Sequence, residues 1–219
     1  MPRLLFEKTG KSVWMSHLDL MRLFQRAFKR AGFTLKHTQG FNPRPSVSIA
    51  LPLSVGVESK CEFLDFEIDG DKPENDFILS RLNESLVDGV HILRVYQTGK
   101  KIGLLSFLDC RILMTYDNGV PADAVEKLKT LFSGKSLIVP KKTKNGMQDQ
   151  DIIPMIRTIA IERTGENEMI INANICCQNP TLNPAMLVSA IEIYCPECSP
   201  DFYTCRRIEV YDKDGEIFR

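Results

Sequence analysis

The sequence has 219 residues, of which 43% are hydrophobic and 26% charged, and these proportions are typical of a folded globular protein and exclude a disordered chain. Its 28 basic and 28 acidic residues cancel, so a uniformly basic nucleic-acid-binding protein is excluded as well. No apolar segment approaches the roughly 20 residues of a membrane-spanning helix, no secretory signal is expected, and the seven cysteines lack the spacing of a disulfide scaffold, so we expect a cytoplasmic protein without membrane contact.

The first hundred residues predict the order strand, helix, strand, strand, helix, strand. Residues 3–9 alternate as a strand, and Ser16 is a good N-cap for a helix that continues to Ala31, with Gly32 as the residue that ends it. The other predicted elements are a short strand at 33–37, strands at 46–53 and 61–68, a helix at 73–86 and a strand at 90–97. This order is that of a ferredoxin-like split βαβ unit.

The second half repeats this plan. Strands are predicted at 104–116, 136–139, 158–164, 168–176 and 206–211, helices at 121–132 and 183–194, and a polar loop at 141–151. We therefore predict an α+β fold of two tandem ferredoxin-like (βαββαβ) domains, 1–100 and 101–219, with antiparallel sheets and helices on one face.

Positive charge is concentrated in the first 45 residues. They contain nine Lys and Arg against two acidic residues, a net charge of +7, and the remainder carries −7. Such a segment attracts phosphate or carboxylate groups. Lys8 and Lys11, in and after the first strand, therefore count among the candidate RNA-binding residues.

Four cations of the first predicted helix recur at steps of three and four residues, which places them on one face. They are Arg22, Arg26, Lys29 and Arg30. Such a row would bind the phosphate backbone of a nucleic acid. The alternative interpretation is a solvated helix face without a partner, and both remain open at this point.

The start of the same helix offers candidate catalytic residues. His17 lies where backbone N–H groups and the helix dipole hold an anion, and the dipole disfavours its protonated form, so His17 could act as a neutral base. Asp19 follows in the first turn, and Arg22 can pair with it or bind a phosphate. The alternative is a plain helix cap, in which Asp19 bonds a backbone amide.

Residues 40–45, with the sequence Gly-Phe-Asn-Pro-Arg-Pro, predict a rigid loop. Two prolines keep its backbone out of helix, and Gly40 permits a positive φ. Phe41 could stack on a base while Asn42 reads a base edge, and Arg44 adds a cation on the same frame. The alternative is a structural turn in which Phe41 joins the core.

Three stretches carry a resemblance to a known family: residues 6–10 (Phe-Glu-Lys-Thr-Gly), residues 16–22 (Ser-His-Leu-Asp-Leu-Met-Arg) and the loop at 40–45, extended by residues 50–53, 56–59 and 62–65. Together they resemble the radical SAM-linked protein family, a bacterial domain of unknown function. The resemblance implies a radical SAM enzyme as partner and a role in RNA modification. The iron–sulfur centre would belong to that partner, since this chain has no Cys-x3-Cys-x2-Cys motif.

The cysteines predict neither a metal nor a cofactor. Cys195 and Cys198 form a Cys-x-x-Cys pair, the candidate for a zinc site, and Cys205, Cys176 and Cys177 would supply further thiolates. No second Cys-x-x-Cys pair exists in the sequence, so buried thiols are the preferred interpretation.

The leading functional hypothesis is an accessory binding module without an activity of its own, which presents RNA or a nucleotide-like substrate to a radical SAM enzyme. An alternative is an endoribonuclease-like or RNA-modifying enzyme, with His17 as general base and Arg22 or Lys11 stabilising the phosphate. A third is a docking subunit that contacts the partner protein and no nucleic acid. The sequence contains no nucleophile motif or nucleotide-binding fingerprint that favours another class of enzyme.

Overall fold

Four α-helices and ten β-strands alternate along the part of the chain that the computed structural model describes, residues 1–143 and 146–219. The chain divides into two units, residues 1–104 together with Arg219, and residues 105–218. Strand pairing within each unit is antiparallel, so the predicted α+β class with antiparallel sheets is confirmed. None of the helices in the described residues has the length and apolar character needed to cross a membrane.

The first unit has a four-stranded sheet and two helices. Its elements are β1 (Arg3–Lys8), α1 (His17–Arg30), β2 (Val47–Ile49), β3 (Val57–Phe66), α2 (Asn75–Asn83) and β4 (Val90–Tyr96). The strands lie in the order β4–β1–β3–β2, so that β3 is inserted between β1 and β2. A 3₁₀ turn at Gly10–Trp14 connects β1 to α1.

Helix α1 forms where the sequence predicts it. Ser16 has extended backbone angles, and its hydroxyl accepts a hydrogen bond of 3.2 Å from the Asp19 amide, which satisfies one of the unpaired N–H groups of the first turn. Gly32 follows the helix with φ +86°, a conformation that glycine adopts without strain. Local signals alone therefore set both ends of this helix.

The core of the first unit lies between the two helices and one face of the sheet. Alternate residues of β1, Leu4 and Phe6, are buried against the apolar side of α1. The Phe6 and Phe24 rings meet edge to face with centroids 4.8 Å apart, a favoured aromatic geometry. Ile78 and Leu82 of α2 belong to the same cluster, so both helices of this unit cover one face, as predicted.

Two strand predictions in the first unit are wrong in extent. Residues 33–37 form only isolated bridges, Leu35 to Ile68 and His37 to Pro45, because Pro43 and Pro45 in the adjoining stretch have no backbone N–H to extend a ladder. The strand predicted at 46–53 is shortened to β2, the three residues Val47–Ile49.

The second unit contains a similar sheet and an additional hairpin. Its elements are β5 (Leu105–Thr115), α3 (Ala124–Phe132), β6 (Ile138–Thr143), β7 (Gly146–Asp151), β8 (Ile156–Arg163), β9 (Glu168–Cys176), α4 (Ala185–Tyr194) and β10 (Phe202–Asp212). The sheet has the order β10–β5–β9–β8, and β6 pairs with β7 alone.

The polar loop predicted at 141–151 is largely this hairpin. Its residues 144 and 145 lie outside the described part of the chain, and on either side of them β6 and β7 pair from Ile138–Asp151 to Thr143–Gly146. The sequence Gly-Met-Gln-Asp-Gln-Asp of β7 is almost entirely exposed, so it lacks the apolar alternation by which strands are recognised. An Asp151 carboxylate oxygen accepts from the Leu137 amide at 2.9 Å and fastens the base of the hairpin.

Candidate nucleic-acid interface

The outward face of α1 carries a row of cations. Arg22, Arg26, Lys29 and Arg30 are all exposed, while Leu20, Leu23, Phe24, Ala27 and Phe28 are buried on the other side of the helix. The row therefore lies opposite the core, with its charged ends in solvent. The predicted placement of the four cations on one face of α1 is therefore found in the structure, and this face is accessible to a ligand.

Among the described residues, only two of the four cations have a hydrogen-bonding or ionic partner, so most of the row is available to a ligand. Arg22 Nη1 lies 3.3 Å from a carboxylate oxygen of Asp19, an exposed pair that solvent screens. Arg30 Nη2 donates to the Ser85 carbonyl oxygen at 2.5 Å, which ties this end of the row to the segment after α2. For Arg26 and Lys29 the described residues offer no acidic group within 4.0 Å, so their charge is not compensated locally.

The loop at residues 38–44 is held at its base and exposed at its tip. The Thr38 amide donates to the Arg44 carbonyl at 2.8 Å, and the Arg44 amide donates to the Thr38 hydroxyl at 3.1 Å. The Ser46 amide donates to the Lys36 carbonyl at 2.7 Å one step further down. Gly40 has φ +134°, a backbone region that other residues rarely adopt. The loop is therefore tied together at its base, and its tip projects into solvent.

Phe41 is the most exposed large apolar side chain among the described residues. The interpretation in which it joins the core is therefore wrong. Burying a phenylalanine ring contributes about 1.5–3 kcal/mol, and in this protein that contribution is unused. Asn42 and Arg44 are exposed beside it on the same loop. Together the three side chains offer a stacking surface, an amide and a cation.

Lys8 is a correction to the predicted RNA-binding set. It is 1% exposed, and its ammonium donates to the Met15 carbonyl oxygen at 3.0 Å. A buried lysine is costly unless its ammonium is hydrogen-bonded, so Lys8 serves the connection between β1 and α1 and offers no surface to a ligand. Lys11, in the 3₁₀ turn, is exposed.

The two predicted catalytic residues have different surroundings. Asp19 accepts from the Ser16 hydroxyl at 2.7 Å, and this hydrogen bond, followed by the charge of Arg22, lowers the pKa of the Asp19 carboxyl despite the opposing effect of desolvation. The cap interpretation therefore accounts for Asp19. His17 is half-buried, and its Nδ1 is shielded from solvent without a hydrogen-bond partner, so the cap does not account for His17.

Two exposed apolar residues near the start of α1 are not among those predicted from the sequence. Trp14 is 68% and Leu18 64% exposed. Trp14 lies over Gly56, where an added Cβ would come 3.5 Å from the indole ring, and the Gly56 amide donates to the Val13 carbonyl at 2.8 Å. Leu18 falls outside the spacing of the buried α1 residues, and Trp14 is the only tryptophan of the sequence; these are the signals that could have found them.

The positive charge of the first 45 residues is only partly a surface property. Arg3 and Lys8 are buried, whereas the other seven basic residues are exposed: Lys11, Arg22, Arg26, Lys29, Arg30, Lys36 and Arg44. Lys36 lies 4.0 Å from Glu67. Most of the excess predicted from the sequence is therefore available to attract an anion.

The zinc candidates lie in the second unit, at the end of α4. Cys195 and Cys198 are buried, and burial raises the pKa of the Cys198 thiol to about 12. The alternative grouping with Cys205, Cys176 and Cys177 is not formed among the described residues, because the cluster that contains Cys195 and Cys198 includes Glu197 and no further thiol.

Residues 2–184 match the profile of a family described as uncharacterised proteins conserved in bacteria (DUF2344). No curated protein matches the chain. Cys195, Glu197 and Cys198 lie beyond the stretch that the family profile covers, whereas α1 and the 38–44 loop lie within it.

Solved structures with a similar fold have little sequence in common with this chain. A chain in the crystal structure of a Cbf5–Nop10–Gar1 complex is 8% identical over 97% of this chain and 50% of its own length, with a TM-score of 0.51. A chain in the structure of an H/ACA RNP bound to a substrate RNA containing 2'-deoxyuridine is 9% identical over 94% of this chain and 46% of its own length, with a TM-score of 0.46. This chain spans about half the length of both, and the first likeness shows the fold alone.

Proposed function

The chain belongs to this family of uncharacterised proteins conserved in bacteria, and we propose that its first unit binds RNA and presents it to a radical SAM enzyme. The observation that carries the proposal is the combination of an exposed row of cations on α1 with a fully exposed Phe41 on the 38–44 loop. Within this row, Arg26 and Lys29 have no acidic group within 4.0 Å among the described residues. The first feature suits phosphates, and the second suits an unpaired base. In this proposal the chain is an accessory module of the cytoplasm without an activity of its own.

The cation row supports a polyanion as ligand better than it supports a small anion. Successive residues on one face of a helix are about 5–6 Å apart, so Arg22, Arg26 and Arg30 extend the charge over more than two helical turns. A single phosphate would contact one or two of these side chains, whereas a nucleic-acid backbone can contact all of them. Polyanion binding of this kind weakens steeply with salt.

The loop supports RNA with unpaired bases as the form that is bound. Side chains cannot read the deep, narrow major groove of double-stranded RNA, whereas unstacked bases can be held on aromatic rings and read by amide groups. Phe41 and Asn42 are an aromatic ring and an amide on adjacent residues. Arg44, at the base of the loop, adds a cation for the flanking phosphate.

The radical SAM partner rests on the resemblance of residues 6–10, 16–22 and 40–45 to the radical SAM-linked family. Its test is co-purification of this chain with the radical SAM proteins of the same bacterium, each expressed singly. A 1:1 complex with one of them supports the partnership. Absence of a complex with every one of them, in the presence and absence of RNA, contradicts it.

We also propose that the two units are tandem ferredoxin-like domains. The support is the shared arrangement: order βαββαβ with strands β4–β1–β3–β2 in the first unit, and the equivalent order β10–β5–β9–β8 in the second, with β6 and β7 inserted. An experimental structure that placed the third strand of either unit outside its first and second strands would contradict this assignment.

The RNA proposal is tested by titrating the protein with fluorescent bulk cellular RNA at several salt concentrations. We expect the Arg22→Glu, Arg26→Glu double variant to lose affinity and to flatten the slope of log Kd against log salt by about 1.4, because each phosphate contact on single strands contributes about 0.7. The matched control reverses the same number of charges on exposed lysines of the second unit, Lys135→Glu with Lys213→Glu.

Equal losses in the two double variants would indicate that net charge alone is sensed and would contradict a specific surface. No binding by the wild-type protein would also contradict RNA binding by this chain, and would favour the docking subunit. In that case Arg26→Glu with Arg30→Glu should break the complex with the radical SAM partner.

A second candidate function is cleavage or modification of the bound RNA with His17 as general base. The observation that favours it is the shielded, unpartnered Nδ1 of His17, a buried polar atom that the fold does not use. Arg22 or Lys11 would stabilise the phosphate. We expect His17→Ala to abolish any cleavage while RNA affinity is kept; cleavage that survives in this variant would exclude the role.

A further inference from the structure

We propose that Cys195, Glu197 and Cys198 form a metal site for Zn²⁺ at the end of α4 in the second unit. One ligand atom from each of the three side chains lies within 4.8 Å of the others. In tetrahedral zinc sites the Zn–S and Zn–O distances of about 2.3 and 2.1 Å place the ligand atoms roughly 3.5–3.8 Å apart. Small side-chain rotations would therefore close the cluster around an ion.

The backbone holds the two sulfur ligands in a tight turn. The Cys195 amide donates to the Ile191 carbonyl at 2.8 Å, which attaches this residue to the last turn of α4. The Cys198 amide then donates to the Cys195 carbonyl at 2.8 Å across a 3₁₀ turn with Pro196 at its start. The Tyr116 hydroxyl donates to the Cys198 carbonyl at 3.0 Å. The spacing of the ligands is thus set before an ion binds.

The carboxylate ligand is oriented by a neighbouring lysine. Lys127 Nζ lies 3.0 Å from Glu197 Oε1 and 3.1 Å from Asp123 Oδ2, so the ammonium holds one oxygen of Glu197 in place. Ligating carboxylates are commonly hydrogen-bonded in this way by a group behind them.

The charges of this cluster suit a divalent cation. Two thiolates and the carboxylates of Glu197 and Asp123 carry −4, and the ammonium of Lys127 offsets one of these charges. Zn²⁺ would therefore reduce the local sum from −3 to −1. The carboxyl end of α4, a helix of ten residues, also favours positive charge. Both sulfur atoms are buried, and sulfur ligands select zinc over the hard cations magnesium and calcium.

Three protein ligands leave one coordination position for water or for a group from a bound molecule. A site of four thiolates, the alternative considered from the sequence, would leave no coordination position open. The site proposed here would be open on the exposed side, where Glu197 reaches solvent.

The experiment is a titration of the reduced, chelator-treated protein with Co²⁺, which reports tetrahedral thiolate coordination through visible d–d bands and a near-ultraviolet sulfur-to-metal band. We expect one Co²⁺ per chain, displaced by one Zn²⁺. Cys195→Ser and Cys198→Ser should each lose the near-ultraviolet band in part and the affinity largely. The control Cys176→Ser removes a half-buried thiol outside the cluster and should change neither.

Glu197→Gln keeps the fold intact, because the side chain is exposed, and so separates ligation from folding. We expect it to weaken Zn²⁺ binding by at least about 10–100-fold, the loss typical of groups that only orient a ligand, in competition with a chromogenic chelator. The circular dichroism spectrum should stay unchanged. Absence of Co²⁺ bands in the wild-type protein, or bands of equal intensity in the Cys195→Ser, Cys198→Ser double variant, would overturn the proposal. Neither result bears on RNA binding by the first unit.

Discussion

Arg3 and Asp65 form a two-bonded ion pair across β1 and β3. Arg3 Nε donates to Asp65 Oδ1 at 2.6 Å, and Nη2 donates to Oδ2 at 3.0 Å. The two residues are direct partners in the strand register, and Arg3 Nη1 also donates to the Lys100 carbonyl at 2.8 Å. Planar pairing of this kind has the geometry that arginine favours with a carboxylate, so it fixes the alignment of the two central strands.

Removal of Asp65 should destabilise the first unit strongly. We expect Asp65→Ala to lower the free energy of unfolding by about 3–5 kcal/mol, because it removes the carboxylate that makes two hydrogen bonds to the buried guanidinium of Arg3. Urea unfolding followed by circular dichroism measures the change. The control is Glu67→Ala, which removes the exposed partner of Lys36 at 4.0 Å and should cost no more than about 0.5 kcal/mol. Equal effects would contradict a structural role for the Arg3 pair.

Gly89 packs closely against the turn that connects β1 to α1. Its φ is +81°, and an added Cβ would overlap the Thr9 carbonyl oxygen and lie 2.9 Å from the Ser12 hydroxyl. Gly32 has a similar φ of +86° with no atom within 4 Å of an added Cβ. We expect Gly89→Ala to cost about 1–3 kcal/mol more than Gly32→Ala in urea unfolding. Equal costs would show that the backbone conformation alone matters.

The cap of α1 predicts a linked change in stability and ionisation. Ser16→Ala should cost about 1 kcal/mol, and because the Ser16 hydroxyl is the main cause of the lowered Asp19 pKa, that pKa should rise toward its ordinary 3.8. A carboxyl whose pKa is lower in the folded than in the unfolded state stabilises the folded protein at pH values above its unfolded pKa. This contribution disappears as the pH falls through the folded pKa. The stability gap between wild type and Ser16→Ala should therefore narrow below about pH 3.8.

Carboxyl NMR titration of both proteins measures the Asp19 pKa directly. An unchanged pKa in Ser16→Ala would contradict the assignment to the hydroxyl. Ser16→Asn is the matched control for helix formation, because asparagine also caps helices, and it should preserve most of the stability.

Phe41 should matter for binding and not for folding. We expect Phe41→Ala to leave the urea midpoint unchanged, because the exposed ring does not pack against the protein. We expect it to weaken RNA binding by about 5–150-fold, the equivalent of 1–3 kcal/mol for one stacked base. Fluorescence anisotropy with unstructured RNA gives the affinity. Phe202→Ala, at an exposed ring of the second unit, serves as control. If Phe41→Ala lowered the urea midpoint and kept the RNA affinity, Phe41 would serve folding and not binding.

Helix α1 was predictable because its signals are local. The cap, the apolar spacing and the terminal glycine all lie within 17 residues, and they gave the observed bounds within one residue. The row of cations followed from the same periodicity. The β6–β7 hairpin was not predictable in this way, because β6 buries only Val139, β7 buries no residue fully, and their pairing depends on backbone hydrogen bonds that leave no apolar pattern.

Lys8 shows a signal that was present and not used. It continues the alternation of Leu4 and Phe6, both of which face the core, so its position in β1 already indicated an inward side chain. Charge type was given more weight than strand phase. The bond from Arg30 to the Ser85 carbonyl, in contrast, joins residues 55 positions apart and has no trace in the local sequence.

The hydrogen bonds at the base of the 38–44 loop separate the requirements of folding from those of recognition. The base of the loop is held by two backbone hydrogen bonds and by the Thr38 hydroxyl, so the exposed side chains at its tip are not needed to hold it. Evolution can therefore exchange the residues at 41 and 42 to change what the loop recognises at little thermodynamic cost. The same property makes the tip a practical position for grafting a label or a new specificity.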